Sequence, residues 1–277
     1  DLELPPAMRS NERLGTVLLA RMPAAAAAYW RLRQGLAPVE PDPMLGHAAA
    51  YLHMLFGERP SAAAERGLET YLNTVVDHGL NASTFACRVI IATQSDMVSA
   101  VTGAIGALKG PLHGGAPGPA LDMVFEIGDV GKAEAYLRAK LERGERLMGF
   151  GHRIYKVRDP RAEVLAAAAR TFYDADPHFG ALYELAVEVE ATALRLLAEY
   201  KPGRSLQTNV EFYTALLLHG LGLPADLFTP TFAVGRAAGW IAHAREQIAA
   251  GRLIRPAAEY IGAWQRDWAS TADRVVQ

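Results

Sequence analysis

Apolar residues recur at every third or fourth position through most of this chain, and this helical period restricts its fold more than any other feature. The clearest stretch follows Gly180. Its apolar face reads Leu182, Leu185, Val189, Ala193, Leu196 and Tyr200. Alternating runs of β-branched residues, which favour strands, are nearly absent, and alanine occurs in clusters such as Ala24 to Ala28. The pattern predicts an all-α protein.

Length, charge and cysteine usage narrow the class further. The 277 residues leave room for one large domain or two unequal ones, each with its own core. A net charge of −2 provides no overall attraction to nucleic acid or to an anionic membrane. No apolar run reaches the roughly 18 residues that a membrane span needs. The chain has a single cysteine, Cys87, so no intrachain disulfide can form, and this fits a reducing cytoplasm. We expect Cys87 to lie on a helix with its side chain buried in the protein core.

Glycine, proline and helix-capping residues indicate where individual helices begin and end. The stretch from Val98 to Lys109 is a predicted helix in which Gly103 and Gly106 belong to a stripe of small residues, and such a stripe lets another helix approach closely. Asp159-Pro160 and Thr229-Pro230 each predict an N-cap followed by proline at the first helical position. The second of these helices is expected to run to about Ala250.

A first candidate for chemistry is the segment Gly110-Pro-Leu-His-Gly-Gly-Ala116. Its histidine, His113, follows a tightly packed helix and precedes two glycines, which allow a backbone to approach a ligand closely. A histidine in such a position is either part of a site held on a rigid scaffold or a turn residue without function.

A second candidate is the segment from Gly149 to Arg161, in which His152 stands between a glycine and a run of basic residues. The basic residues are Arg153, Lys156, Arg158 and Arg161. Such clustering in a chain of negative net charge favours a local anion site. The other interpretation is a solvated basic loop, the usual role of a charge run.

A third candidate is Glu211, the only ionisable acid in the apolar helix predicted from Asn209 to Leu218. An apolar environment would raise the pKa of this carboxyl and make it a stronger base. Alternatively, Glu211 is a first-turn acid that interacts with the helix dipole after an Asn209 cap. On local grounds alone, the second interpretation is favoured.

Two arginines complete the candidates. Arg236 is the only charged residue between Asp226 and Arg245, and Arg255 lies in an apolar loop. A buried arginine needs an anionic partner, which is either a ligand or an internal carboxylate. The sequence contains no Cys/His cluster, glycine-rich nucleotide loop or nucleophile elbow, so we expect no metal.

Taken together, the motifs resemble the bacterial citrate synthase and 2-methylcitrate synthase family. They occur in the family's order and spacing and span nearly the whole chain. The motifs are Asp77-His-Gly-Leu-Asn-Ala-Ser-Thr-Phe85, Gly110-Pro-Leu-His-Gly-Gly-Ala116, Gly149-Phe-Gly-His-Arg153 with Asp159-Pro-Arg161, Asn209-Val-Glu-Phe-Tyr213, and Leu227-Phe-Thr-Pro230 with Arg236.

The resemblance implies a citrate synthase-like all-α homodimer whose large and small helical domains close over the substrates. The large domain would comprise residues 1–114 and 223–277, and the small domain residues 115–222. Several helices that the family carries ahead of Asp1 are absent from this chain. The implied activity is condensation of an acyl-CoA with oxaloacetate, in which the CoA thioester is a substrate and no cofactor is needed.

The resemblance also implies a role for each candidate residue. The catalytic residues would be His113, which hydrogen-bonds the thioester oxygen; His152, which protonates the oxaloacetate carbonyl; and Glu211, which removes the α-proton. The oxaloacetate-binding residues would be His78, Arg161, Arg236 and Arg255 of the partner subunit. Lys156 falls where the family often carries a basic residue for the CoA phosphates.

Two positions depart from the family pattern. Glu211 stands where most members carry aspartate, and Gly79 where many carry glutamate. With acetyl-CoA the product would be citrate and free CoA. Two alternatives stay open at this stage: a 2-methylcitrate synthase that uses propionyl-CoA, and a catalytically weak relative that binds its ligands.

Overall fold

Helices make up the regular structure of this chain, as predicted. The computed structural model describes residues 10–114, 117–151, 157–174, 177–266 and 268. These ranges contain no strand, only an isolated antiparallel bridge between Phe150 and Thr208. No described helix combines the length and apolarity needed to cross a membrane. The helices are α1 (Asn11–Arg33), α2 (His47–Phe56), α3 (Ala62–Val75), α4 (Ala82–Ala92), α5 (Met97–Leu108), α6 (Pro117–Ile127), α7 (Val130–Glu142), α8 (Pro160–Asp174), α9 (Pro177–Tyr200), α10 (Val210–Gly220) and α11 (Phe228–Ala250).

Side-chain caps fix the starts of the helices that border the candidate site. Asn81 Oδ1 accepts the backbone N–H groups of Ser83 and Thr84 at the start of α4. Asn209 caps α10 in the same way, by accepting from Glu211 N. Each cap satisfies N–H groups that lack a partner within the helix, so the first turn of α4 and of α10 is firmly placed.

Asp159 is the predicted cap of α8, and it behaves as one. Its Oδ1 accepts from Arg161 N at 3.0 Å, and the helix begins at Pro160. The predicted cap at Thr229 was wrong. A short 3₁₀ turn, Ala225–Leu227, runs directly into α11, which therefore begins at Phe228 without a side-chain cap. The Thr229 hydroxyl instead donates to Gly114 O at 2.9 Å and ties α11 to the His113 loop.

The core consists of two clusters that α11 joins. One cluster contains Trp240 and Cys87, both fully buried, with side chains of α4 and α5 around them. The other cluster extends from α2 and α3 through α6 to α10 and includes Val234. Cys87 is therefore a core residue, as its position in an apolar helix predicted.

Small residues set the close approach of α4 and α5. A Cβ on Gly103 would lie 2.1 Å from Ile90 Cδ1, so this glycine permits the contact that the sequence predicted. Gly106 does not share that role, because a Cβ there would meet nothing within 4 Å. Only part of the predicted stripe therefore serves helix packing within this chain.

Glycines also bring the end of α3 onto α11. A Cβ on Gly239 would lie 2.2 Å from the backbone oxygen of Val76, and one on Gly235 would lie 2.7 Å from Val75 Cγ2. Because the first of these atoms belongs to the backbone, it has little freedom to move away. This crossing places the end of α3 directly beside Arg236.

We expect Gly239→Ala to destabilise the fold by about 1–3 kcal/mol, because the added methyl overpacks the crossing of α3 and α11. Gly180→Ala on α9 is the matched control, because a Cβ there meets nothing within 4 Å. The control should be neutral or stabilising by about 0.5–1 kcal/mol, from the better helix propensity of alanine. Urea unfolding of both variants measures the difference, and equal stabilities would contradict the packing account.

Candidate active site

Arg236 is a buried cation at the crossing of α3 and α11. Its side chain is 1% exposed, its Nε donates to Val75 O at 2.6 Å, and its guanidinium lies 4.9 Å from the centroid of the Phe232 ring. Burial lowers the pKa of Arg236 to about 10, although the nearby Asp77 carboxylate opposes the change. It forms no ion pair with a carboxylate of the described residues. A desolvated guanidinium without a carboxylate favours an anionic ligand.

His113 lies beside Arg236, and Phe232 contacts both. The His113 and Phe232 rings meet edge to face at 6.1 Å between centroids. Burial lowers the pKa of His113, and the positive charge of Arg236 lowers it further. This imidazole is therefore neutral at neutral pH, when it can polarise an oxygen without carrying a charge.

Ser83, at the start of α4, contacts the Nε2 edge of the His113 ring. Its Oγ lies 2.8 Å from His113 Nε2 and accepts from Trp240 Nε1 at 3.0 Å. It also lies 2.7 Å from Oδ1 of the cap residue Asn81. The ring of His113 is thus fixed by a fully buried serine, which is the kind of support that a precise site requires.

Arg161, at the start of α8, is paired with Asp159 and lies near both Arg236 and Glu211. The Arg161 guanidinium donates to both carboxylate oxygens of Asp159, from Nε at 3.0 Å and from Nη2 at 2.7 Å. Asp159 is fully buried, and its backbone N–H donates to Thr208 O at 3.2 Å. Arg161 is close enough to Arg236 for its charge to lower the pKa of that residue. The two positive charges therefore lie in the same part of the site.

Glu211 is partly buried in the first turn of α10. Burial raises the pKa of Glu211 to about 7, although the Arg161 charge opposes the rise and the Asp159 charge adds to it. Both sequence interpretations hold, because the residue follows an Asn209 cap and is also a desolvated carboxyl. A carboxyl that titrates near neutral pH is suited to take up a proton.

Hydrogen bonds join two short segments, residues 149–151 and residues 207–209, and we call this joined pair the clip. Gly151 N donates to Gln207 O at 2.7 Å, and Asn209 N donates to Gly149 O at 3.0 Å. Asn209 Nδ2 also donates to Gly151 O at 3.0 Å. The clip holds the residues that precede His152 against the residues that precede Glu211. His152 itself and Lys156 lie outside the described residues.

A buried carboxylate on α9, Glu190, anchors the clip from below. Arg158 Nη1 lies 2.7 Å from its Oε1, and the Thr208 hydroxyl donates to the same atom at 2.5 Å. Tyr213 OH donates to Oε2. These contacts satisfy the buried charge and join α9, α10 and the start of α8 into one unit.

The remaining predicted site residues have different positions. His78 is partly buried in the loop after α3, next to Asp77. Arg255 is exposed on the extended segment beyond α11 and forms no ion pair with the described residues. One chain therefore brings His113, Arg161, Glu211 and Arg236 together but leaves Arg255 outside.

Sequence reasoning missed several contributors. Tyr71 is fully buried, and burial raises its pKa, with Arg236 opposing the rise and Glu211 adding to it. It is positioned between those two residues because it lies one helical turn before Val75 on α3. That spacing was the available signal for Tyr71, and the Asn81 cap motif was the signal for Ser83. No local pattern identified Trp240.

A basic cavity adjoins the clip and was also missed. It has a volume of about 860 Å³ and includes Phe150 and Gly151 in its wall. Basic side chains contributed by Arg146, Lys201 and Arg204 stand among leucines in its lining. Cations combined with apolar walls suit a ligand that carries both phosphates and an apolar ring.

The fold and the site together define an all-α protein in which two guanidinium groups, an imidazole and a desolvated carboxyl lie close together. A family model, Citrate synthase, C-terminal domain, matches residues 4–257. Citrate synthase 2 of Bacillus subtilis is 46% identical over 253 residues, which are 91% of this chain and 66% of that protein. The 2-methylcitrate synthase of Mycobacterium tuberculosis is 42% identical over 260 residues, 93% of this chain and 63% of that protein.

Solved structures agree with this match. A ternary complex of citrate synthase from the archaeon Thermoplasma acidophilum with carboxymethyl coenzyme A and oxaloacetate superposes with a TM-score of 0.87 at 30% identity. The alignment covers 99% of this chain and 72% of that structure. The chain belongs to the citrate synthase family. It spans about two thirds of the length of the relatives it matches.

The raised pKa of Glu211 makes stability depend on pH. The carboxyl loses its proton at about 4.5 when the chain is unfolded and at about 7 when it is folded. The folded state therefore holds more protons between these values, and this residue lowers stability as pH rises from about 4.5 to about 7. We expect Glu211→Gln to stabilise the protein by on the order of 2–3 kcal/mol at about pH 8 and to have little effect near pH 4.

Chemical unfolding at the two pH values measures this difference. Glu163→Gln, at an exposed acid in the first turn of α8, is the matched control and should show no such pH-dependent gain. A Glu211→Gln variant that gains no stability at high pH would mean that the carboxyl is well solvated.

Proposed function

We propose that this protein condenses an acyl-CoA with oxaloacetate and releases free CoA, giving citrate when the acyl group is acetyl. The observation that carries the proposal is the desolvated Glu211 carboxyl beside Arg161, together with the buried Arg236 and the neutral His113. Each group meets a separate demand of the reaction, and family membership supports the same conclusion.

Proton abstraction from the acyl group is the first demand. The α-proton of a thioester is weakly acidic, so its removal needs a positioned base and support for the enolate oxygen. Glu211 is the proposed base, because a pKa of about 7 makes it more basic than an ordinary carboxylate while leaving it largely ionised above that pH.

His113 is the proposed support for the enolate oxygen. The Ser83 hydroxyl donates to Asn81 Oδ1 at 2.7 Å, because an amide oxygen can only accept, and its Oγ lies 2.8 Å from His113 Nε2. Ser83 therefore holds the Nε2 edge of the ring. The other ring nitrogen, Nδ1, is the proposed contact of the thioester oxygen, to which it donates when it carries a hydrogen.

Orientation of oxaloacetate is the second demand. The proposed ligands of its carboxylates are Arg161 and Arg236, since guanidinium groups bind carboxylates through paired hydrogen bonds and fix their plane. His78 and His152 are proposed for the ketone side of the same molecule. The enolate carbon attacks the ketone, whose oxygen gains a charge that His152 neutralises, and water then hydrolyses the resulting thioester.

The basic cavity next to the clip is the proposed site for the nucleotide end of CoA. Its Arg146, Lys201 and Arg204 offer charge to phosphates, and its leucines offer an apolar wall. Lys156, which follows the clip in sequence, is proposed as a further phosphate ligand. The acyl group would then point towards Glu211 past Gly151.

A homodimer with two domains per subunit is proposed for the assembly. The large domain would comprise residues 1–114 and 223–277, and the small domain, with the clip and Glu211, residues 115–222. Large apolar side chains are strongly exposed in the single chain, among them Leu112 at 96% and Ile261 at 95%. An apolar surface of this kind favours a protein partner, and a second copy would supply Arg255 to the site.

A 2-methylcitrate synthase is the second candidate function, favoured by the 42% identity to a protein of that name. Propionyl-CoA differs from acetyl-CoA by one methyl group, which a pocket discriminates by only about 1–3 kcal/mol. The ratio of thiol release with the two donors decides between these candidates.

We expect thiol release by the purified protein with oxaloacetate and acyl-CoA, and a loss of about a hundredfold to ten-thousandfold in kcat for Glu211→Gln. Because Glu211 acts in its deprotonated form, kcat of the wild type should rise with pH through about 7. Glu163→Gln serves as the control. Unchanged kcat in Glu211→Gln would place the base elsewhere, and no release with either donor would favour a binding protein.

Subunit mixing tests the proposed sharing of Arg255. Glu211→Gln and Arg255→Ala should each be inactive alone. Mixed dimers contain one complete site, so an equal mixture should recover about a quarter of the wild-type rate. Absence of recovery after subunit exchange, which mass spectrometry verifies, would contradict a shared site.

A further inference from the structure

Arg236 can bind a substrate carboxylate only if no carboxylate of the protein occupies it first. The acid closest to that role is Asp77, in the loop after α3, because its charge raises the pKa of Arg236. A Cβ on Gly239 would lie 3.3 Å from Asp77 Oδ1. Gly239 lies one helical turn after Arg236 and one turn before His243 on α11, so the Asp77 carboxylate lies above the helix between the cation and the imidazole.

The Asp77 carboxylate is bound on the side of His243. Its Oδ1 accepts from His243 Nε2 at 3.1 Å, and its Oδ2 accepts from Gly79 N at 3.1 Å. It forms no ion pair with Arg236, although its charge acts on that guanidinium and raises its pKa. The two hydrogen bonds therefore direct the carboxylate away from Arg236.

Arg88 on α4 fixes the tautomer of His243. Its Nη1 lies 3.0 Å from His243 Nδ1 and 2.9 Å from Glu246 Oε2, and its Nε donates to Gln247 Oε1 at 3.2 Å. A guanidinium only donates, so His243 Nδ1 must accept. The ring hydrogen consequently lies on Nε2 and points at Asp77.

We propose that His243 is a positioning residue that holds Asp77 away from Arg236 and thereby keeps the Arg236 guanidinium available to a carboxylate of the substrate. The inference rests on the proposed function, which makes Arg236 a ligand of oxaloacetate. His243 touches no reacting atom in this role and acts through Asp77.

Removal of the imidazole gives a specific consequence. In His243→Ala, Asp77 loses the donor on its Oδ1 and turns towards the adjacent guanidinium, where it competes with oxaloacetate. We expect the KM for oxaloacetate to rise about tenfold, the scale of one charge-assisted hydrogen bond, while the KM for acyl-CoA stays within about twofold.

A second substitution separates this role from a merely structural one. Asn cannot neutralise a guanidinium, so Asp77→Asn in the His243→Ala background should return the KM for oxaloacetate to within about threefold of the wild type. His243→Gln should also keep a low KM, because a Gln amide can donate to Asp77 and accept from Arg88. Glu163→Gln, which changes an exposed acid on α8 outside this cluster, is the control and should match the wild type.

The four variants are compared by steady-state kinetics with each substrate varied, and thermal unfolding verifies their folding. A double variant that stays as weak as His243→Ala, or equal losses for both substrates, would overturn the positioning role and leave the proposed function standing. If the wild type releases no thiol but binds oxaloacetate in calorimetry, the catalytic proposal fails and the same comparison is made on dissociation constants. A wild type that neither reacts nor binds overturns both proposals.

Discussion

The burial of one guanidinium organises the centre of this molecule. Arg236 lies where α3 crosses α11, and the crossing depends on Gly239, which faces the backbone oxygen of Val76, and on Gly235, which faces the Val75 side chain. Burial of a charged group without a carboxylate partner lowers the stability of a fold. Binding of an anionic ligand to Arg236 would therefore stabilise this protein. The positive charge of Arg236 adds to the burial that lowers the pKa of His113, and His243 and Gly79 hold the nearby Asp77 carboxylate.

The candidate site combines two environments of opposite tendency. Around Arg236, burial and the positive charge of that residue together lower the pKa of His113. Around Glu211, desolvation prevails over the Arg161 charge and raises the pKa of the carboxyl. The same pocket thus holds a neutral imidazole and a carboxyl of raised basicity at neutral pH, which is the division of labour that an enolate-forming reaction needs.

The fold class and most of the candidate residues were predictable from the sequence, and the wrong or missing predictions have physical causes. Helical periodicity predicted the fold class, and the glycine-flanked histidines and isolated charges marked the candidate residues. Thr229 misled because the preceding 3₁₀ turn already supplies the start of α11. Tyr71, Ser83 and Trp240 were missed because their importance comes from contacts between distant helices, which no local pattern records. The local pattern favoured Glu211 as a first-turn acid after the Asn209 cap, and it did not record that contacts from other helices also desolvate this carboxyl.

The clip of residues 149–151 and 207–209 has a mechanical consequence. Backbone hydrogen bonds tie the residues before His152 to those before Glu211, and Glu190 fastens the pair to α9. Any swing of this helical unit carries both flanks as one rigid body. The spacing between residues 149–151 and residues 207–209 is then set by these local hydrogen bonds and does not depend on the positions of the other helices. In the proposed reaction, the rest of the chain could therefore move without changing the distance between these two segments.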